Sequence, residues 1–269
     1  MNILYAIFLG IVQGATEFLP VSSSGHLVLA ASFLDVEEAS LAFDVFLHLG
    51  TLVAVVIYFR RDFWLMARAL LAWRDKNAET AALRMLALQL AAGTVPAVVA
   101  ALLCGDFIET NLRHPLVVAI TLAGVGLLLL LGEKAGAHRR DFASITWLDT
   151  LLIGCAQALA IIPGVSRSGI TMTAGLFRGL NRQAVARFSF LLSAPIICGA
   201  GVYKVPEIIR HGFAPGQGGF YLAGFLSSAI SGYLVIAFLL HFIRTRTFVV
   251  FAYYRFALAA LVVLTLLLR

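Results

Sequence analysis

Two polar clusters stand out in an otherwise oily chain. The first runs Gln13-Gly-Ala-Thr-Glu17-Phe-Leu-Pro-Val-Ser22-Ser23-Ser24-Gly25-His26, and the second runs Pro163-Gly-Val-Ser166-Arg167-Ser168-Gly169-Ile-Thr171. Serines and glycines just ahead of a helix start are N-cap residues. The free backbone N–H groups there sit at the positive end of the helix and form a ready anion site. Ser22, Ser24 and Gly25 in the first cluster, and Ser166, Ser168, Gly169 and Thr171 in the second, are therefore candidate phosphate ligands. Arg167 adds a guanidinium that can grip phosphate oxygens in pairs. A phosphate or diphosphate is the natural occupant. Glu17 does not bind phosphate directly, but it could hold Mg²⁺ or Ca²⁺ against it, because hard cations choose oxygen ligands. It could also orient His26 or act as a base. His26 could deprotonate Ser23 as nucleophile or attack phosphorus itself, and spacing leaves both open. Gln13 and Gln157 stand as supporting residues.

Each piece has an ordinary reading. A Ser-rich helix start is usually only a cap, Glu17 and Arg167 could be a plain buried ion pair, and His48 reads as a structural histidine. Their combination argues for function, because every group lies in a stretch apolar enough for a membrane, where ionisable side chains are costly.

Of the 269 residues, 61% are hydrophobic and 13% charged, and mean hydropathy is +0.95. A soluble domain carries about 25% charge, so there are too few charges to coat a globule. A bilayer needs roughly 20 apolar residues per helical span. Six stretches qualify, at about Phe43–Phe59, Leu86–Cys104, Pro115–Gly132, Phe188–Tyr203, Phe220–Phe242 and Phe248–Leu268. Phe63–Trp73 carries Arg68 mid-stretch and reads as an interfacial amphipathic helix. Asn2–Leu34 is broken at Pro20 and Ile145–Gly179 at Pro163, so that neither half can span alone. Irregular backbone at membrane depth is tolerated only when buried in protein or lining a wet cavity. Two re-entrant helix-loop-helix hairpins are the economical reading, with their loops meeting near the centre of the bundle.

The hairpins also resemble each other. Adding 144 to the residue number carries Gly10 to Gly154, Gln13 to Gln157, and Val-Ser-x-Ser-Gly at Val21–Gly25 to Val165–Gly169. The sequence therefore predicts an all-α integral membrane protein, a single membrane domain over residues 1–269 with an internal duplication. Repeat one covers about 1–134 and repeat two about 145–269. One hairpin plus three spans per copy forces the second copy upside down, the inverted topology of many transport folds. Basic residues concentrate at Arg60–Arg84, Lys134–Arg140, Arg178–Arg187 and Arg244–Arg246, all on one side, which should be cytoplasmic. Asp35, Glu37, Glu38 and the loops at Asp106–His114 and Lys204–His211 fall opposite, with both termini. The net charge of +6 thus reads as orientation and headgroup contact, and nucleic acid is not an expected partner. Cys104, Cys155 and Cys198 show no metal or disulfide spacing and read as small buried hydrophobes. The N-terminus lacks the basic start and cleavage site of a signal peptide and is expected to be retained.

At these motifs the chain resembles the undecaprenyl-diphosphate phosphatase family of bacteria, the bacitracin-resistance type. The motif [E/Q]-x-x-x-E stands here as Gln13–Glu17, and P-G-x-S-R-S-x-x-T as Pro163–Thr171. The likeness extends through Arg187-Phe-Ser-Phe-Leu191 and Tyr254-Arg-Phe256. The resemblance implies six spanning helices, two re-entrant pairs and inverted repeats. It implies hydrolysis of undecaprenyl diphosphate to undecaprenyl phosphate, the carrier for peptidoglycan and other envelope polymers, and with it bacitracin resistance. It also implies a divalent cation, Mg²⁺ or Ca²⁺, and a place in the bacterial plasma membrane with the site open to the outer face. Glu17, Ser23, His26 and Arg167 are the catalytic positions so implied, with Ser166, Ser168 and Thr171 supporting the phosphates. A homodimer is compatible with the sequence. Many members carry Glu where this chain has Gln13, which moves the weight onto Glu17. A lipid-phosphate transporter or flippase of the same carrier is the alternative, since broken helices and inverted repeats suit transport too.

Overall fold

A computed structural model describes residues 3–26, 41–211 and 217–268, apart from the side chains of 41, 109 and 205–211. In chain order the helices are α1 (Ile3–Phe18), α2 (Leu41–Tyr58), α3 (Arg60–Leu71), α4 (Ala78–Asn111), α5 (Pro115–Ala135), α6 (Trp147–Ala158), α7 (Arg167–Phe177), α8 (Arg182–His211), α9 (Gly218–Phe242) and α10 (Val249–Leu268). Residues 23–26 open a further helical segment. Its continuation through Leu34, together with Asp35, Glu37 and Glu38, lies outside the described residues.

Local chemistry sets several boundaries. Asn77 caps α4 by accepting from Glu79 N, Pro115 stands in the first turn of α5, and Thr146 and Asp149 form a reciprocal capping box on α6. Pro96 lies inside α4, tolerable in a helix whose neighbours can satisfy the freed carbonyl.

Five helices are long and apolar enough to cross a membrane: Ala78–Ile108, Pro115–Ala135, Arg182–Lys204, Gly218–Phe242 and Val249–Leu268. Helices α2 and α3 pass the same test only as a pair, bent by 78° at Phe59. That makes up to six spans, and it agrees with α3 turning away from the path of α2. Helices α1 and α6 are apolar but short, and the 11-residue α7 rises only about 16 Å, half of a bilayer core.

The distribution of polarity is the reverse of a soluble protein's. Leu102, Leu103, Ile120, Leu234 and Leu267 are exposed, whereas Gln13, Glu17, Ser22, Ser168, Thr171 and Arg255 are buried. Helix α1 packs along α9, α9 along α2, α6 along α4, and α10 along α5. Small residues allow these approaches. A Cβ added at Gly10 would lie 2.4 Å from Gly224 O, and one at Gly154 would lie 2.4 Å from Gly93 O.

Beneath α6 the chain is clasped by charge. Arg140 Nη2 donates to Asp149 Oδ2 at 2.6 Å and Arg178 Nε to Asp149 Oδ1 at 2.7 Å. The Asp149 carboxylate holds the Arg140 guanidinium above its ordinary range. Cys104, Cys155 and Cys198 are free thiols, but they are exposed rather than buried. On a membrane helix the outward face is apolar too, so hydrophobicity does not mark the inside.

Candidate active site

The two broken stretches meet, and they are built alike. Ser22 and Ser166 both take positive φ, 77° and 71°, a conformation costing a non-glycine residue about 1–3 kcal/mol. In each loop that serine's Oγ accepts from the glycine N–H three residues on, Gly25 at 3.2 Å and Gly169 at 3.0 Å. It also pairs with the serine two residues on, Ser22 with Ser24 at 3.3 Å and Ser166 with Ser168 at 3.2 Å. The hydroxyl caps the new helix while the backbone reverses, so the strain is exchanged for a satisfied donor.

Bonds then cross between the loops. Gly164 N donates to Ser24 Oγ at 3.3 Å and Ser168 Oγ to Leu19 O at 2.8 Å. Arg255, fully buried on α10, locks the pair together. Its guanidinium donates to Pro20 O in one loop, to Gly164 O and Val165 O in the other, and to Leu122 O and Thr121 O on α5. Sequence reading did not single it out. The Tyr-Arg-Phe run was its only trace, and nothing in spacing says that an arginine will be consumed by carbonyls.

The candidate catalytic groups Glu17, Ser23 and Arg167 are joined by hydrogen bonds. Arg167 Nη2 donates to Glu17 Oε1 at 2.8 Å, and its Nη1 to Ser189 O at 3.0 Å. Glu17 Oε2 accepts from Ser23 Oγ at 2.8 Å and from Gln13 Nε2 at 3.0 Å. Thr171 Oγ1 lies 2.7 Å from Ser189 Oγ and donates to Arg167 O at 2.7 Å, fixing the arginine's turn of helix. Glu17, Ser24 and Arg167 line a cavity of about 490 Å³ with His48, Gln157, Pro163 and a largely apolar remainder that includes Ala97, Ile161 and Ile197.

Two histidines fall differently from the reading of the sequence. His26 does not face Ser23. Its Nδ1 lies 2.6 Å from Ser22 O and its Nε2 2.7 Å from Tyr254 Oη, on which the ring also stacks. A carbonyl only accepts, so Nδ1 carries the proton and, in the neutral ring, Nε2 accepts a hydrogen bond from the Tyr254 hydroxyl. His48, read as structural, lines the cavity with Nε2 3.7 Å from Glu17 Oε2. Its Nδ1 lies 2.8 Å from Asp44 O. Of the candidate phosphate ligands only Ser24 lines the cavity, while Ser22, Ser166, Ser168 and Thr171 hold the loops in shape.

Residues 6–261 match the family described as "Bacitracin resistance protein BacA". The chain belongs to this family. Full-length relatives in this family are named undecaprenyl-diphosphatase. The protein of Rubrobacter xylanophilus is 50% identical with all of both chains covered. That of Elusimicrobium minutum is 44% identical over the whole of both chains, and that of Pelobacter propionicus 44% identical over 95% of this chain and 94% of its own.

The cation implied by the motifs can be tested against the donors present. Among the described residues no group of three or more His, Cys, Asp or Glu could cage a metal ion. Beside Glu17, however, Gln13 Oε1 is a buried acceptor oxygen with no partner among the described residues. One carboxylate and one amide oxygen suit a hard cation that takes its remaining ligands from substrate phosphates and water.

Proposed function

We propose that this chain hydrolyses undecaprenyl diphosphate to undecaprenyl phosphate and inorganic phosphate in the bacterial plasma membrane. The observation that carries the proposal is the hydrogen-bonded chain Ser23–Glu17–Arg167, in which Glu17 and Arg167 line a mostly apolar cavity and Ser23 stands directly behind Glu17. A phosphate site needs the arginine, whereas a serine hydroxyl already donating to a carboxylate is what nucleophilic attack needs. The full-length relatives named for this activity point the same way.

In this reading the diphosphate enters the cavity and competes with Glu17 for the Arg167 guanidinium. The carboxylate is then free to take the Ser23 proton. Ser23 Oγ bonds to the terminal phosphorus, and the phosphoanhydride bond breaks with its electron pair leaving on undecaprenyl phosphate. Water next attacks the phosphoserine, restoring the hydroxyl and releasing inorganic phosphate. Arg167 holds charge on the transferring phosphoryl group, mostly electrostatic work. Glu17 and Gln13 Oε1 would hold Mg²⁺ or Ca²⁺, which supplies further neutralisation of the diphosphate. The geometry of His26 favours Ser23 as nucleophile, with His26 and Tyr254 bracing the Ser22 turn.

The chain is read as one membrane domain built of two inverted copies. The matching loops at Ser22 and Ser166 support this, as does an exchange of partners. The first copy's α1 backs on α9 through Gly10, and the second copy's α6 backs on α4 through Gly154, the position 144 residues on. The cavity lining includes Gly105, Ile108 and Arg113. The sequence puts this segment opposite the basic loops, which supports a mouth on the outer face.

Phosphate release from undecaprenyl diphosphate by detergent-purified protein tests the proposal, with Mg²⁺ or Ca²⁺ and with EDTA. Detergent holds no gradient, so cation-dependent release supports hydrolysis. Folded protein that binds the lipid and releases no phosphate would leave transport as the reading.

A further inference from the structure

The two copies have diverged at one telling position. In the first, Gln13 donates its amide N–H to Glu17 at 3.0 Å. Its counterpart 144 residues on is Gln157, but the counterpart of Glu17 is Ile161, which accepts nothing. Gln157 therefore keeps the position and loses the partner. Its side chain is 2% exposed, both its amide nitrogen and its amide oxygen lack a partner among the described residues, and it lines the same cavity as Glu17, Ser24 and Arg167. A buried amide left unpaired is costly. Nothing in the packing asks for it, since the adjacent cavity residues Ala160 and Ile161 are apolar.

We propose that Gln157 is a substrate-binding residue, donating from Nε2 to a phosphate oxygen of the prenyl diphosphate. This rests on the phosphatase reading above and deepens it. The first copy supplies the reacting pair Ser23 and Glu17, and the second supplies the grip, Arg167 and Gln157. A neutral amide suits that task. It satisfies an oxygen without adding a second positive charge that would hold the anionic product in place.

The test uses Gln157→Met, which keeps length and volume and removes both polar atoms, and Gln157→Glu, which sets a carboxylate against the phosphates. Phosphate release from farnesyl diphosphate gives KM and kcat, a methylene-bridged farnesyl diphosphonate gives equilibrium affinity, and thermal unfolding gives stability. Loss of one hydrogen bond to a charged group corresponds to roughly a tenfold to hundredfold loss of affinity. KM should rise by about that factor in Gln157→Met, with kcat within about threefold, because uniform binding is what is removed. The rise should be larger in Gln157→Glu. Unfolding of Gln157→Met should come at or above the wild-type temperature, since the amide has no bond to lose. Wild-type KM and diphosphonate affinity in folded Gln157→Met would overturn the assignment, and so would a lowered unfolding temperature with unchanged KM. The phosphatase reading fails separately, if wild-type protein binds the diphosphonate yet releases no phosphate.

Discussion

The Glu17–Arg167 contact joins side chains 150 residues apart and is the only direct ion pair between the two loops among the described residues. Both partners are nearly buried, at 7% and 12% exposure. Glu17→Gln keeps the shape but leaves the guanidinium with Ser189 O. Arg167→Met leaves the carboxylate with Ser23 and Gln13. Removing one member of a buried pair costs about 3–5 kcal/mol, because the survivor remains desolvated. Access from the cavity reduces this to about 2–3 kcal/mol for each single variant. The double variant Glu17→Gln/Arg167→Met has no charge left to strand, so its loss should stay near 1 kcal/mol, a coupling of about 3–5 kcal/mol. For a chain of this size 1 kcal/mol is worth about 2–4 °C. Thermal unfolding in detergent should then show each single variant roughly 4–12 °C below wild type and the double variant within roughly 4 °C of it. All three should be inactive, so stability and turnover separate. A double variant that loses the sum of the two singles would refute the argument that this is a coupled buried pair.

Two further outcomes test the scaffold. Arg255→Met strands the carbonyls of Pro20, Gly164 and Val165; at about 1–3 kcal/mol each, unfolding should move down by several degrees and phosphate release should fall. Arg255→Lys should fare no better, because an ammonium lacks the planar fork that reaches both loops; wild-type stability and activity in both variants would contradict the role. Gly154→Leu should wedge α6 from α4 and cost more than about 2 kcal/mol in denaturant unfolding, against at most about 0.5 kcal/mol for Cys155→Leu beside it on the exposed face.

Much of this arrangement was legible in the residues. Long apolar runs mark spans whatever surrounds them, so α4, α5, α8, α9 and α10 fall where hydropathy puts them. Pro20 and Pro163 interrupt apolar runs, and the chain breaks at both. Glu17, Ser23, Ser24 and Arg167 were legible because charged and hydroxyl groups are rare where burial is costly. The misreadings have a common physical origin. Sequence gives neighbours along a helix and says little about what faces it from another. Hence His26, three residues from Ser23 in sequence, turns to Tyr254, whereas His48 on a different helix reaches Glu17. For the same reason Arg255 gave no sign of its five carbonyl partners. The cysteines were misplaced because apolar means outside as often as inside in a membrane protein.

The central claim is that one site, built from both loops, carries out hydrolysis. It is tested most directly by measuring inorganic phosphate released from undecaprenyl diphosphate by purified wild-type protein and by Arg167→Ala, at saturating Mg²⁺. The account predicts steady release by the wild type and a loss of at least about 10³-fold in the variant, the scale for removing a principal charge-stabilising group. Release from Arg167→Ala at near the wild-type rate would place the chemistry somewhere other than between Glu17, Ser23 and Arg167.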